Sequence, residues 1–128
     1  MTAEITKVFE IELGWIPPAE VRGNSRTHWR AKAAKIKELR QSGFDHMFHL
    51  QVENNILRKF EQVRITYHFT HNRWIDIDNI AFGMKAFVDG MVDAEAVQDD
   101  TPDRVLYGDH TFTRKPKTSR TVVEIEVL

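Results

Sequence analysis

Residues 63–69 read VRITYHF, and residues 76–93 read DIDNIAFGMKAFVDGMVD. The first stretch alternates, with Val63, Ile65, Tyr67 and Phe69 apolar and Arg64, Thr66 and His68 between them. Side chains on an extended chain point to opposite faces in turn, so this pattern predicts a half-buried strand. The second stretch changes period. Ile80, Met84, Phe87, Val88 and Met91 form the stripe of a helix that Asp78 would cap, with Gly90 and Asp93 weakening the last turn.

Outward from this pair, the same reasoning covers the rest of the chain. Ile5, Phe9, Ile11, Leu13 and Trp15 occupy odd positions around Glu10 and Glu12, a strand closed by Pro17-Pro18. A loop with a Gly23-Asn24 turn leads to a helix capped by Ser25 or Thr27 and running to about Leu50. Its apolar positions are Ile36, Leu39, Gly43, Met47 and Leu50. Arg104–Thr113 and Thr118–Leu128 read as strands joined through Pro116, with Val123, Ile125 and Val127 facing the core. The order β-α-β-α-β-β predicts an α+β fold, a small mixed β-sheet covered by two main helices.

The 128 residues make one domain, 1–128, with 41% hydrophobic and 29% charged residues, as in soluble globular proteins. No apolar run approaches the roughly 18 residues of a membrane span. The opening residues carry no basic-then-apolar leader, and there are no cysteines, which together predict a cytoplasmic, non-exported protein. The net charge is only −1, but its distribution is uneven. Arg22, Arg26, Arg30, Lys32, Lys35, Lys37 and Arg40 face a single acid, Glu38, and a second basic cluster holds Arg114, Lys115, Lys117 and Arg120. From Asp76 to Asp109 the balance is acidic. Basic patches can hold a polyanion while an acidic cluster holds cations; the plainer reading is solvated surface.

Within the acidic span, Asp76 and Asp78 would share a side if the extended chain persists that far. Like charges held close call for a divalent cation, and with Lys85, Asp89 and the Asp99-Asp100 pair they suit Mg²⁺-assisted chemistry on phosphate. The plainer reading makes Asp78 an N-cap, which accounts for one aspartate but not for Asp76. On a continuous helix, residues 78, 85 and 89 fall within about 40° of one another. There Lys85 would stabilise transition-state charge with Asp89 holding it, or else the two form a plain surface ion pair. Asn24, Arg26, His28 and Trp29 form a third cluster. Arg26 and His28 suit phosphate contacts and Trp29 base stacking, against the alternative of Trp29 as a core anchor. His46, His49, His68, His71 and His110 show no zinc-ligand pattern.

This constellation resembles the RusA family of Holliday-junction endonucleases, small homodimeric enzymes common in phages and prophages. The shared pattern is Asp76-Ile77-Asp78-Asn79, then Lys85, Asp89 four residues on, and Asp99-Asp100. A proline-rich strand end leading to Asn24-Ser25-Arg26 is also similar, so that the likeness spans roughly Leu13 to Asp109. One departure stands out, since the lysine follows the second aspartate by seven residues where best-known members have four. The extra near-turn moves it about 4.5 Å along a helix axis. Either the helix starts one turn earlier here, or Lys85 does not reach the site. A basic residue expected just before the aspartate pair is also displaced, with Trp74-Ile75 following Arg73.

The resemblance implies Asp76, Asp78 and Asp100 as metal ligands for Mg²⁺, with Mn²⁺ as a substitute, and Lys85 as the catalytic lysine. Asn79, Asp89 and Asp99 would support them. Asn24, Arg26, His28, Trp29, Arg30, Lys32 and Lys35 would contact DNA. It further implies paired symmetric nicks on a four-way junction by a homodimer in recombination and repair, leaving 5′-phosphate and 3′-hydroxyl ends. The alternatives are a flap or fork nuclease, a non-catalytic branched-DNA-binding protein, or a cation-stabilised domain with no nucleic-acid partner.

Overall fold

The computed structural model describes residues 7–26 and 28–128. The alternating strand over residues 63–69 is present as β2 (Val63–His71), and Val63, Ile65, Tyr67 and Phe69 are all buried. It is the centre of a five-stranded mixed sheet. β5 (Ser119–Val127) runs antiparallel between it and β1 (Lys7–Leu13). On the other side, β3 (Val105–Tyr107) and β4 (Thr111–Arg114) both pair with β2 in parallel. The expected α+β architecture with a small mixed sheet is therefore observed.

The apolar face, which includes Ile11, Leu13, Val123 and Ile125, packs into one core with Met47, Leu50, Ile80, Met84 and Phe87 from the helices. Val127, expected to face the core, is half-buried. The opposite sheet face carries Arg64–Glu126 at 3.0 Å and His68–Glu124 at 3.6 Å. Ile5 lies outside the described residues. No helix among the described residues is long and apolar enough to cross a membrane.

Several expected boundaries move. The first helix is α1 (Trp29–Glu53), extending past Leu50. Its cap is His28, whose Nδ1 accepts the Arg30 N–H at 3.2 Å; Ser25 does not fill that role, and Thr27 lies outside the described residues. Of its expected apolar positions, Leu39, Gly43, Met47 and Leu50 are buried, and Ile36 is exposed. The loop from Pro17 contains a short 3₁₀ turn, Ala19–Val21.

The second helix is divided into α2 (Ile77–Phe82) and α3 (Lys85–Asp93), with Gly83-Met84 between them. All five expected stripe residues are buried. α3 crosses α1 at two glycines. A Cβ on Gly43 would lie 1.9 Å from the Phe87 carbonyl oxygen, and one on Gly90 would lie 1.9 Å from that of Arg40. Gly90, read from the sequence as a weak point in the helix, is instead what lets the two backbones touch. Arg40 adds a two-pronged bond to Asp93 across the seam, at 2.5 and 2.8 Å.

The last expected strand pair also divides. The strand expected over residues 104–113 is instead the two short strands β3 and β4, and the register against β2 shifts by one residue between them. Val63 lies opposite Val105, whereas His68 lies opposite Thr111. Gly108, Asp109 and His110 therefore stand against only Thr66 and Tyr67, which is a bulge.

Candidate functional site

β2 ends at His71, so Asp76 and Asp78 do not share one side of an extended chain. Asp76 is the N-cap of α2, and its Oδ1 accepts the N–H groups of Asp78 at 2.9 Å and Asn79 at 3.2 Å. The capping role expected for Asp78 thus belongs to Asp76, and Asp78 lies in the first turn. Both placements suit the positive end of a helix, where carboxylates are favoured.

Because α2 and α3 are separate helices, the continuous-helix geometry that would set residues 78, 85 and 89 on one face does not hold. The i,i+4 part of that reading holds within α3, where Lys85 Nζ donates to Asp89 at 2.8 Å. The same ammonium also donates to Asp100 Oδ2 at 2.5 Å, across 15 residues of sequence. Burial pulls the Lys85 pKa down, but the bonds to Asp100 and Asp89 more than offset this and leave it raised. The Lys85 bond holds the Asp100 carboxyl below its usual range. Lys85 is thus clamped between two carboxylates, and it reaches Asp100 despite the seven-residue spacing.

Asp99 serves its own loop. Its Oδ1 accepts the Thr101 hydroxyl at 2.7 Å and the Thr101 N–H at 3.2 Å, and Arg104 approaches to 3.5 Å. Asn79 reaches in the other direction. Its side-chain oxygen accepts the Asn24 N–H at 2.7 Å, and its carbonyl accepts the Gly23 N–H at 3.2 Å. It therefore ties the loop ahead of α1 to the turn that carries Asp76 and Asp78.

That loop opens onto a basic surface. Trp29 is 66% exposed, so the core-anchor alternative fails. Its ring stacks on His28 and lies 5.2 Å beneath the Arg30 guanidinium. Lys35 pairs with Glu38 at 3.3 Å. Arg22 and Arg40 are used structurally, Arg22 donating to the Pro17 carbonyl and Arg40 binding Asp93.

The sequence reading missed the bulge after β3. β3 and β4 leave the Tyr67 N–H without a strand partner, and His110 Nδ1 accepts it at 2.9 Å. The His110 ring stacks on Tyr67 with centroids 4.5 Å apart. Burial, then His68, lowers its pKa, with Asp78 and Asp109 opposing. No spacing rule signals this role, because it depends on where the register slips.

The donors Asp76, Asp78 and Asp100 are all carboxylates, which suits a hard cation such as Mg²⁺. Among the described residues, however, no three His, Cys, Asp or Glu are gathered in a group that would hold a metal. The set therefore fits Mg²⁺ in its chemistry and not as a preassembled cage. Comparison with protein-family models finds no match for this chain, and neither does comparison with curated proteins.

Proposed function

We propose that the chain is a Mg²⁺-dependent, structure-selective endodeoxyribonuclease that nicks four-way DNA junctions in symmetric pairs as a homodimer. The observation that carries this reading is the Lys85 clamp. A cationic donor lies on Asp100, at the start of the helix that follows Asp76 and Asp78. An ammonium held between two carboxylates is placed to stabilise the negative charge that builds on a phosphodiester as it is hydrolysed. The exposed Trp29–Arg30 corner supports it, since aromatic and basic side chains together suit DNA.

In this reading Asp76, Asp78 and Asp100 would hold Mg²⁺, or Mn²⁺ in its place. When bound, the metal would supply a more acidic water and neutralise phosphate charge. An ammonium has three donors, and Asp89 and Asp100 take two of Lys85's, which leaves one for a phosphate oxygen. Asp89 positions the lysine, and Asn79 positions the loop carrying Asn24 and Arg26. A two-fold dimer would set two such sites on opposite strands.

One observation favours a non-catalytic branched-DNA-binding protein as a second reading, because the Lys85 bond occupies a carboxylate that a cation would need. The test is cleavage of a labelled mobile four-way junction beside linear-duplex and flap controls, in Mg²⁺ or EDTA, with wild type and Asp78→Asn. Symmetric, metal-dependent nicks that vanish in the variant support the enzyme. Preference for the flap would shift the substrate, and tight junction binding without nicking in any metal refutes catalysis.

A further inference from the structure

Beside Lys85 lies a cleft of about 420 Å³ lined by Tyr67, Ala81, Phe82, Lys85, Tyr107 and His110. Its size is within the range of ligand sites. Two large aromatic side chains stand at it exposed, Phe82 at 58% and Tyr107 at 49%. Tyr67 is buried and carries the stacked His110 ring. His110 accepts at Nδ1, so a neutral ring bears its proton on Nε2 and offers one donor. Lys85 is the single charged side chain among the lining residues.

A flat aromatic ligand with an anionic attachment matches all of these features together. The rings offer stacking faces, the imidazole offers a hydrogen bond to a base edge, and the ammonium faces a phosphate. A base in linear duplex is paired and stacked, whereas a single strand, or an unpaired base at a branch, presents one at little unstacking cost.

Resting on the DNA-directed reading above, we propose that this cleft captures one unstacked nucleobase of branched or single-stranded DNA. Phe82 and Tyr107 provide the stacking faces, the His110 Nε2–H contacts the base edge, and Lys85 meets the adjoining phosphate. Base capture next to the carboxylates would select for branched DNA without reading sequence.

The test uses 2-aminopurine, a fluorescent base quenched by stacking, at the centre of a short single strand and at the exchange point of a junction. Binding is followed in EDTA for wild type, Phe82→Ala and Phe82→Trp, with circular dichroism confirming the fold. Wild type is expected to quench the probe. Phe82→Ala should lose the quench and weaken single-strand binding between about 5- and 100-fold. Its affinity for blunt duplex should be unchanged, and Phe82→Trp should restore both signals. Quenching and affinity that survive in Phe82→Ala overturn the proposal, even if wild type nicks junctions. Quenching lost in Phe82→Ala, but with no nicking by wild type in Mg²⁺, sustains the cleft and refutes the nuclease. No binding of any DNA by wild type overturns both.

Discussion

Replacing Gly90 by alanine tests the seam that positions Lys85 and Asp89. In an ordinary helix interior this change stabilises, because alanine is favoured over glycine by about 1 kcal/mol. Here the new Cβ would lie 1.9 Å from the Arg40 carbonyl oxygen and 2.7 Å from the Phe44 nitrogen, where ordinary contact begins at 3.4 Å. The obstacles are backbone atoms of α1, which cannot swing aside as a side-chain tip would. The helices must separate locally by about 1.5 Å, and gaps of even 0.5–1 Å forfeit a quarter to a half of each contact's attraction. Met47 and Phe87, both fully buried, lie in the core that would loosen. Overpacking of this kind, backbone shifts included, typically costs about 1–3 kcal/mol. Because backbone meets backbone at both contacts the upper end applies, and net of the propensity gain we expect Gly90→Ala to destabilise by about 2 kcal/mol, lowering the melting temperature by roughly 5–10 °C. Urea unfolding followed by circular dichroism should show a lower midpoint at an unchanged slope. Gly43→Ala, whose Cβ would meet the Phe87 oxygen at 1.9 Å, should behave alike. The double variant should cost less than the sum, because one separation relieves both clashes. A raised midpoint for Gly90→Ala would refute the backbone contact.

Asp76 has two separable roles, since Asn caps a helix about as well as Asp. Asp76→Ala should cost about 1 kcal/mol through the lost cap. Asp76→Asn should keep the unfolding midpoint and lose metal-dependent nicking, whereas full nicking in that variant would reduce Asp76 to a cap. The Lys85–Asp100 pair stabilises over a defined pH window. The depressed Asp100 pKa makes its contribution present above the unfolded carboxyl value and lost as pH falls through the folded one. The raised Lys85 pKa makes its share present below the unfolded amine value and lost as pH rises through the folded one. Carboxyl-detected NMR titration should show the Asp100 pKa rising in Lys85→Met, and an unmoved value would mean that the bond does not persist in solution. If Arg26, Arg30 and Lys32 meet phosphates, alanine at each should lower the salt dependence of junction binding by about one counterion. Slopes that match wild type would place the DNA elsewhere.

Much of the architecture was legible in the chain because burial imposes a period. Val63 to Phe69 alternate since one face of β2 is buried, and Ile80, Met84, Phe87, Val88 and Met91 recur as a stripe because one helical face is. Those patterns do not encode breaks. Gly83-Met84 divides the helix within an uninterrupted stripe, which is why residues 78, 85 and 89 were expected on one face. The carboxylates and Lys85 were visible as residue types at a spacing, while their bonding was not. Asp76 Oδ1 is engaged by backbone N–H groups because α2 starts at Ile77.

The sequence by itself determined the α+β class, the buried faces and which residues carry charge, because hydrophobic burial follows a local repeat. Tertiary structure alone decided that Gly43 and Gly90 bring α1 and α3 into backbone contact. It also decided that Lys85 lies on Asp100, and that a one-residue slip beside β2 sets His110 on Tyr67. Each of these joins residues far apart in sequence. Their geometry depends on how whole elements pack, which no local pattern records.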